Sequence, residues 1–236
     1  MQRAQQRQRA RAERLTEPTP QALLDAAETI FARDGFSGAR VEEIAQIAGY
    51  NKALIFHYFD DKLGLYRAMM ARTKERIAAQ FQAALARYDN AEGEIPLERL
   101  RELIEELAGI IVEFYAQHQN MARILVWEAA EGWQTYLACV SPTSEHFSER
   151  LFALALEAQE VGIIRAELDV RLLITTFMSL PLIHMVSLPR FQHMFPDRDF
   201  TSPEALAHAQ RQISTILLNG ILTERTDQEH LHATRI

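Results

Sequence analysis

The sequence predicts an all-helical protein. Proline (8) and glycine (9) are scarce among the 236 residues. No segment keeps up the apolar–polar alternation that marks a half-buried strand; apolar residues instead recur at spacings of three and four. Apolar residues make up 48% and charged residues 24% of the chain, an ordinary globular composition. The length suits one large domain, or a small domain joined to a larger one.

Residues 1–17 lack apolar periodicity and read as a basic disordered arm. A first helix starts at Thr19 or the Thr16–Pro18 turn, with Pro20 suited to its first turn. Leu23, Ala27, Ile30 and Phe31 form its apolar stripe, and Gly35 closes it. After the Ser37–Gly38 turn, Val41, Ile44, Ala45 and Ala48 form a second short stripe ended by Gly49. A third helix, Lys52–Tyr58, follows with Asn51 as its cap. Asp60 or Asp61 caps a fourth, running from about Lys62 to Arg87.

Beyond a turn at Asn90, Gly93 and Pro96, a long amphipathic helix runs from Leu97 to His118 through Leu100, Ile104, Leu107, Ile111 and Phe114. Another spans Asn120–Glu131. Gly132, Ser141 and Pro142 punctuate a loop, Ser144–Val161 is helical, and Gly162 breaks it. Asp169–Val186 and Pro203–Thr223 supply the last two long helices, before a polar, frayed tail at 227–236. His230 and His232 in that tail lack the further ligands a metal site needs.

Charge is distributed unevenly. The net charge is −7, yet residues 1–75 hold 12 Lys and Arg against 10 Asp and Glu, and the remainder 13 against 22. Arg3, Arg7, Arg9, Arg11 and Arg14 face a single acid, Glu13, in the first 15 residues. A basic arm ahead of a near-neutral domain and an acidic body suits local binding to a polyanion.

Three short helices within 45 residues, the second and third joined by a turn at Gly49, give the helix-turn-helix layout. In that layout the third helix enters the major groove of double-stranded DNA with its N-terminal residues at the base edges. Ile55 and Phe59 anchor it inward. Tyr50, Asn51, Lys52, Leu54, His57 and Tyr58 are left to face DNA, the aromatic tips packing on sugar–phosphate while donating to phosphate oxygens. Asn51, Lys52 and the first N–H groups of the helix can hold a phosphate, as can Lys62. Ala53 and Leu54 come closest to the bases and offer apolar contact to a thymine methyl. Arginines of the arm suit the minor groove.

The run FARDGFSGARVEEIAQIAGYNKALIFHYFDDKLGLYRAM resembles the DNA-binding domain of TetR-type transcriptional regulators. The resemblance rests on Gly35–Phe36, the IA-x-x-AG segment, the H-Y-F run and the F-x-x-K start of the fourth helix, and it covers roughly residues 20–70. It departs at Asn51, where Ser is usual, at Leu54, where a small polar residue is common, and at Phe56, where Tyr is usual. Leu63 replaces a common Glu. Arg40 stands near the usual capping Thr, where it can contact phosphate instead.

The resemblance implies a helix-turn-helix domain over 18–66 and a helical regulatory and dimerisation domain over 67–226. It also implies a homodimer, a palindromic operator and a small-molecule effector that releases DNA. The last two helices are the dimer candidates: Leu172–Leu182 is apolar on most faces, and Ile213, Ile216, Leu217 and Ile221 form a stripe beside Gly220. An ordinary intrachain core is the other reading of the same stripe.

For the effector, attention falls on Glu128. Met121, Ile124, Leu125 and Glu128 share one helical face, so a carboxylate continues an apolar stripe, and burying it is costly unless it is partnered. Either it pairs with an Arg or a neighbouring helix, or it borders a pocket walled by Trp127, Phe114, Tyr115, Phe152, Phe177 and His184. The second reading implies a small, largely apolar ligand bearing a donor or a positive charge.

Other classes fare worse. There is no G-x-S-x-G, H-E-x-x-H, P-loop or Gly-rich dinucleotide turn, so no enzyme, cofactor or metal site is expected. Cys139, the single cysteine, excludes an internal disulfide and a thiolate zinc site, and its closeness to His146 suggests no activated thiolate. A helical protein-binding adaptor, or a regulator acting without a ligand, is the alternative. The uncharged run LLITTFMSLPLIHMVSLP is borderline for a membrane span, but its Thr, Ser, His and Pro residues fit a helix buried in the protein or in a subunit interface. The Arg- and Gln-rich start reads as no signal peptide, hence a cytoplasmic protein.

Overall fold

The computed structural model describes residues 20–89, 97–139 and 146–223. The arm, the turn at 90–96, the loop at 140–145 and the tail lie outside the described residues. Among those described are ten helices: α1 (Pro20–Gly38), α2 (Val41–Ala48), α3 (Lys52–Phe59), α4 (Lys62–Asp89), α5 (Leu97–Gln117), α6 (Gln119–Ala130), α7 (Gln134–Cys139), α8 (His146–Glu160), α9 (Val170–Met194) and α10 (Pro203–Ile221). An isolated antiparallel bridge joins Ile164 and Leu222. The all-helical expectation holds.

Most boundaries lie within two residues of the sequence reading, and three features depart further. The backbone of Gly35 leaves the helical region (φ 69), as expected for a stop, but one further turn carries α1 to Gly38. The loop expected after Gly132 contains the short α7. The helix expected to end at Val186 runs on to Met194 through Pro181 and Pro189. Near its end the Phe195 N–H bonds the Phe191 carbonyl at 2.9 Å, and the Phe191 ring lies 5.9 Å from His184 and 6.1 Å from Phe200.

The chain divides into two compact units, Met1–Lys74 with Arg123–Val140, and Glu75–Ala122 with Ser141–Ile236. The first unit thus takes in, besides the helices read as the 18–66 domain, a second stretch from within 67–226.

The apolar stripes of α1 to α4 converge in the first unit. Leu23, Ala27, Ile30, Phe31, Ile44, Ile55, Leu65 and Met69 are fully buried. Tyr66 sits edge-on to Phe31, with ring centroids 5.0 Å apart, and to Phe36 at 5.2 Å. Arg72 of α4 ties back to α1 through Asp25 at 2.6 Å and Glu28 at 3.0 Å.

α5 is the central helix of the second unit, with α9 and α10 packed on it and α8 on α9. Leu100, Leu103, Leu107, Ile111 and Phe114 form its buried stripe. On α10, Ile213, Leu217 and Ile221 are buried while Ile216 points outward, 63% exposed. That stripe is therefore largely intrachain core. α9 is long and apolar enough to cross a membrane by length and composition, yet only 17% of its apolar window is buried. Burial within this chain covers Val170, Pro181, Met185 and Leu188, leaving Leu172, Ile183 and Met194 exposed.

Candidate functional site

α2 and α3 are set by local chemistry. Arg40 is the N-cap of α2 and makes no side-chain cap bond; Glu42 and Glu43 in the first turn complement the helix dipole instead. Gly49 ends α2 in the left-handed region (φ 76), its N–H reaching the carbonyls of Ala45 and Gln46. The Tyr50 N–H follows onto the Ala45 carbonyl at 2.9 Å. Asn51 then caps α3, its Oδ1 accepting from the Ala53 N–H at 3.0 Å. Of the two acids considered for α4, Asp61 is the cap, accepting from the Gly64 N–H at 2.6 Å.

Ile55 is the buried anchor of α3, and Phe59 is half-buried beside it. Asn51, Lys52, Ala53, His57 and Tyr58 are exposed together with Arg40, while Tyr50, Leu54 and Lys62 are half-buried. Eight of the nine residues read as DNA-facing thus lie on α3 or in the chain just before and after it, and Arg40 lies at the start of α2. Phe56, left out of that set, is 46% exposed on the same helix. Lys62 lies 4.6 Å from the Phe36 ring centroid, with Nζ 3.5 Å from the Ser37 carbonyl, and burial lowers its pKa below the ordinary lysine range. Sequence reasoning also missed Glu42, whose carboxylate accepts from Lys52 Nζ at 3.1 Å. Its place in the first turn of α2 was visible, but the approach of α3 was not.

The seven residues proposed to wall a ligand pocket divide between the two units. Glu128, 2% exposed, accepts from the Tyr66 hydroxyl at 2.6 Å and from the Tyr136 N–H at 3.0 Å. This is the hydrogen-bonded, structural alternative, and burial together with that bond raises the Tyr66 pKa well above the usual tyrosine range. Trp127 lies against Gly35, where an added Cβ would come within 3.1 Å of the indole. Both residues belong to the first unit. Phe114 and Tyr115 are buried in α5, the Arg171 guanidinium sits 5.2 Å from the Phe152 ring, and His184 lies beside Phe191. Phe177 alone among the seven lines the apolar cavity of the second unit. That cavity, of about 70 Å³, is also lined by Leu100, Leu107, Leu154, Ile174 and Leu217. The Glu128 carboxylate that continues the stripe meets Tyr66 of α4.

The chain is similar to known proteins along both parts. Residues 23–69 match the model of bacterial regulatory proteins of the tetR family, and residues 96–217 match the tetracyclin repressor-like C-terminal domain. The HTH-type transcriptional repressor SCO4008 of Streptomyces coelicolor is 29% identical over 148 residues, covering 63% of this chain and 68% of that protein. The repressor NicS of Pseudomonas putida is 34% identical over 108 residues, covering 45% and 46%. The solved structure of the ketosteroid transcriptional regulator KstR2 of Mycobacterium tuberculosis shares the fold, with a TM-score of 0.60 at 21% identity over 87% of this chain and 95% of that one. With the helix-turn-helix geometry of α2 and α3 and these matches over both parts of the sequence, the chain belongs to the TetR family of transcriptional regulators.

Proposed function

We propose that this DNA-binding regulator acts in the cytoplasm as a repressor, binding a palindromic operator as a homodimer and leaving it when a small, largely apolar molecule binds. The observation that carries the DNA half is the exposed face of α3 on its buried anchor Ile55. Arg40, Asn51, Lys52 and Lys62 meet phosphate, Tyr50, His57 and Tyr58 pack on the backbone, and Ala53 and Leu54 read bases. The dimer half is supported by the apolar side chains that α9 and α10 leave outside, Leu172, Ile183 and Ile216. Surfaces of that kind need covering. A two-fold dimer presents its recognition helices one DNA turn, or a multiple, apart.

The effector half is supported by the apolar cavity of the second unit. At about 70 Å³ it is far below the ~300 Å³ or more of a typical ligand site, so a ligand must open it and favour the opened state. The same small volume favours a second reading, regulation without a small molecule. Selection from a random duplex pool tests the DNA half: enriched sites should carry two-fold symmetry, and an asymmetric consensus would remove the dimeric operator. Adding hydrophobic small molecules to the protein–operator complex tests the rest. Release by at least one favours the ligand reading, and release by none across a broad panel favours the second.

A further inference from the structure

Lys52 opens α3 and Glu42 lies in the first turn of α2. Their side chains, 55% and 66% exposed, meet at 3.1 Å. Helix-dipole complementarity explains an acid at 42 or 43, but not the bridge to the recognition helix. The neighbouring acids behave alike: Arg33 is held by Asp34 and Glu43, each at 2.7 Å. Lys52 and Arg33 are thus each paired with carboxylates of their own unit.

We infer that Glu42 limits the DNA affinity of this protein by competing with phosphate for Lys52. The inference rests on the reading that Lys52 meets phosphate. An ammonium already paired with a carboxylate neutralises no phosphate until the pair opens, and the released carboxylate then faces a polyanion. Glu42 thereby lowers the salt-dependent, sequence-independent part of binding, the part that holds a regulator on non-operator DNA. The Glu42 carboxyl, held below the ordinary range first by its own backbone N–H and then by Lys52, stays ionised and able to compete.

The test uses full-length wild-type protein, Glu42→Gln, Lys52→Ala and the double variant. Their affinities for a non-operator duplex are measured between roughly 50 and 200 mM salt. Glu42→Gln should tighten binding about two- to fivefold at the low-salt end, the range an exposed pair spans. It should also steepen the slope of log K against log salt by at most about 0.9, the value for one phosphate that Lys52 neutralises only part of the time in the wild-type protein. In the Lys52→Ala background the same change should tighten binding distinctly less, because only the repulsion between the free carboxylate and the duplex is then relieved. If wild-type binds but Lys52→Ala binds equally well, the phosphate role of Lys52 fails and the inference falls with it. If Lys52→Ala weakens binding while Glu42→Gln changes neither affinity nor slope, the inference alone is overturned. Equal tightening in both backgrounds also overturns it, since Glu42 would then act by repulsion without engaging Lys52.

Discussion

The Glu128 carboxylate is tolerated in the core because two donors reach it, the Tyr66 hydroxyl at 2.6 Å and the Tyr136 N–H at 3.0 Å. Glu128→Ala removes the acceptor and leaves the Tyr66 hydroxyl buried and unpaired. We expect a loss of about 3 kcal/mol in urea unfolding, with Glu128→Gln, which keeps an acceptor oxygen, losing less than half of that. Equal losses would show that the carboxylate itself, rather than its acceptor role, is needed. The same contact predicts a pH dependence. Burial and the Glu128 bond raise the Tyr66 pKa in the folded state. Its contribution is complete below the ordinary tyrosine range and is lost as pH rises through that range and beyond, because the unfolded tyrosine ionises first. Tyr66→Phe should therefore flatten the fall in Tm between about pH 9 and 11. Parallel curves for the two proteins would contradict this. The odd position of Glu128 was legible from periodicity, but its partner lies 62 residues away and was not.

Among the helices, two glycines look alike in sequence and behave differently. Gly49 adopts φ 76 with no atom within 4 Å of an added Cβ, so Gly49→Ala carries only a backbone cost of about 1 kcal/mol. At Gly64 a Cβ would sit 1.8 Å from the Phe59 carbonyl oxygen, and backbone cannot step aside as a flexible side chain can. Gly64→Ala should cost about 3 kcal/mol and weaken DNA binding, because α4 and α3 must part. Thermal melts and a gel shift of the two variants check the ranking, and a Gly49→Ala protein less stable than Gly64→Ala would reverse it. The role of Gly49 follows from the helix-turn-helix spacing. That of Gly64 arises because Asp60, at φ 64, turns the chain and points the Phe59 carbonyl back at α4.

For the whole molecule, the faces that one chain leaves open decide assembly. Ile183 is 56% and Ile216 63% exposed. On the proposed dimer, Ile183→Lys with Ile216→Lys should shift sedimentation toward the monomer and lower operator affinity, while far-UV CD stays unchanged. A dimer of undiminished stability would place the subunit interface elsewhere. The composition of the units also belongs to this scale. Residues 123–140 fold with the DNA-binding module, so helix boundaries read along the chain could not reveal the division.

What the sequence by itself determined was whatever local interactions decide. Periodicity set the helices, Asn51 and Gly49 set the turn between α2 and α3, and the buried Ile55 set which face of α3 stays outside. These depend on residues three to five apart and survive any packing. Only the tertiary structure decided which carboxylate meets which donor. Glu128 finds Tyr66, Glu42 finds Lys52 and Arg72 finds Asp25 and Glu28. It also decided that Phe177 joins Leu100, Leu107 and Leu217 around an apolar cavity. Such pairings depend on how helices distant in sequence are brought side by side, and side-chain periodicity fixes the face of a helix but not its neighbour.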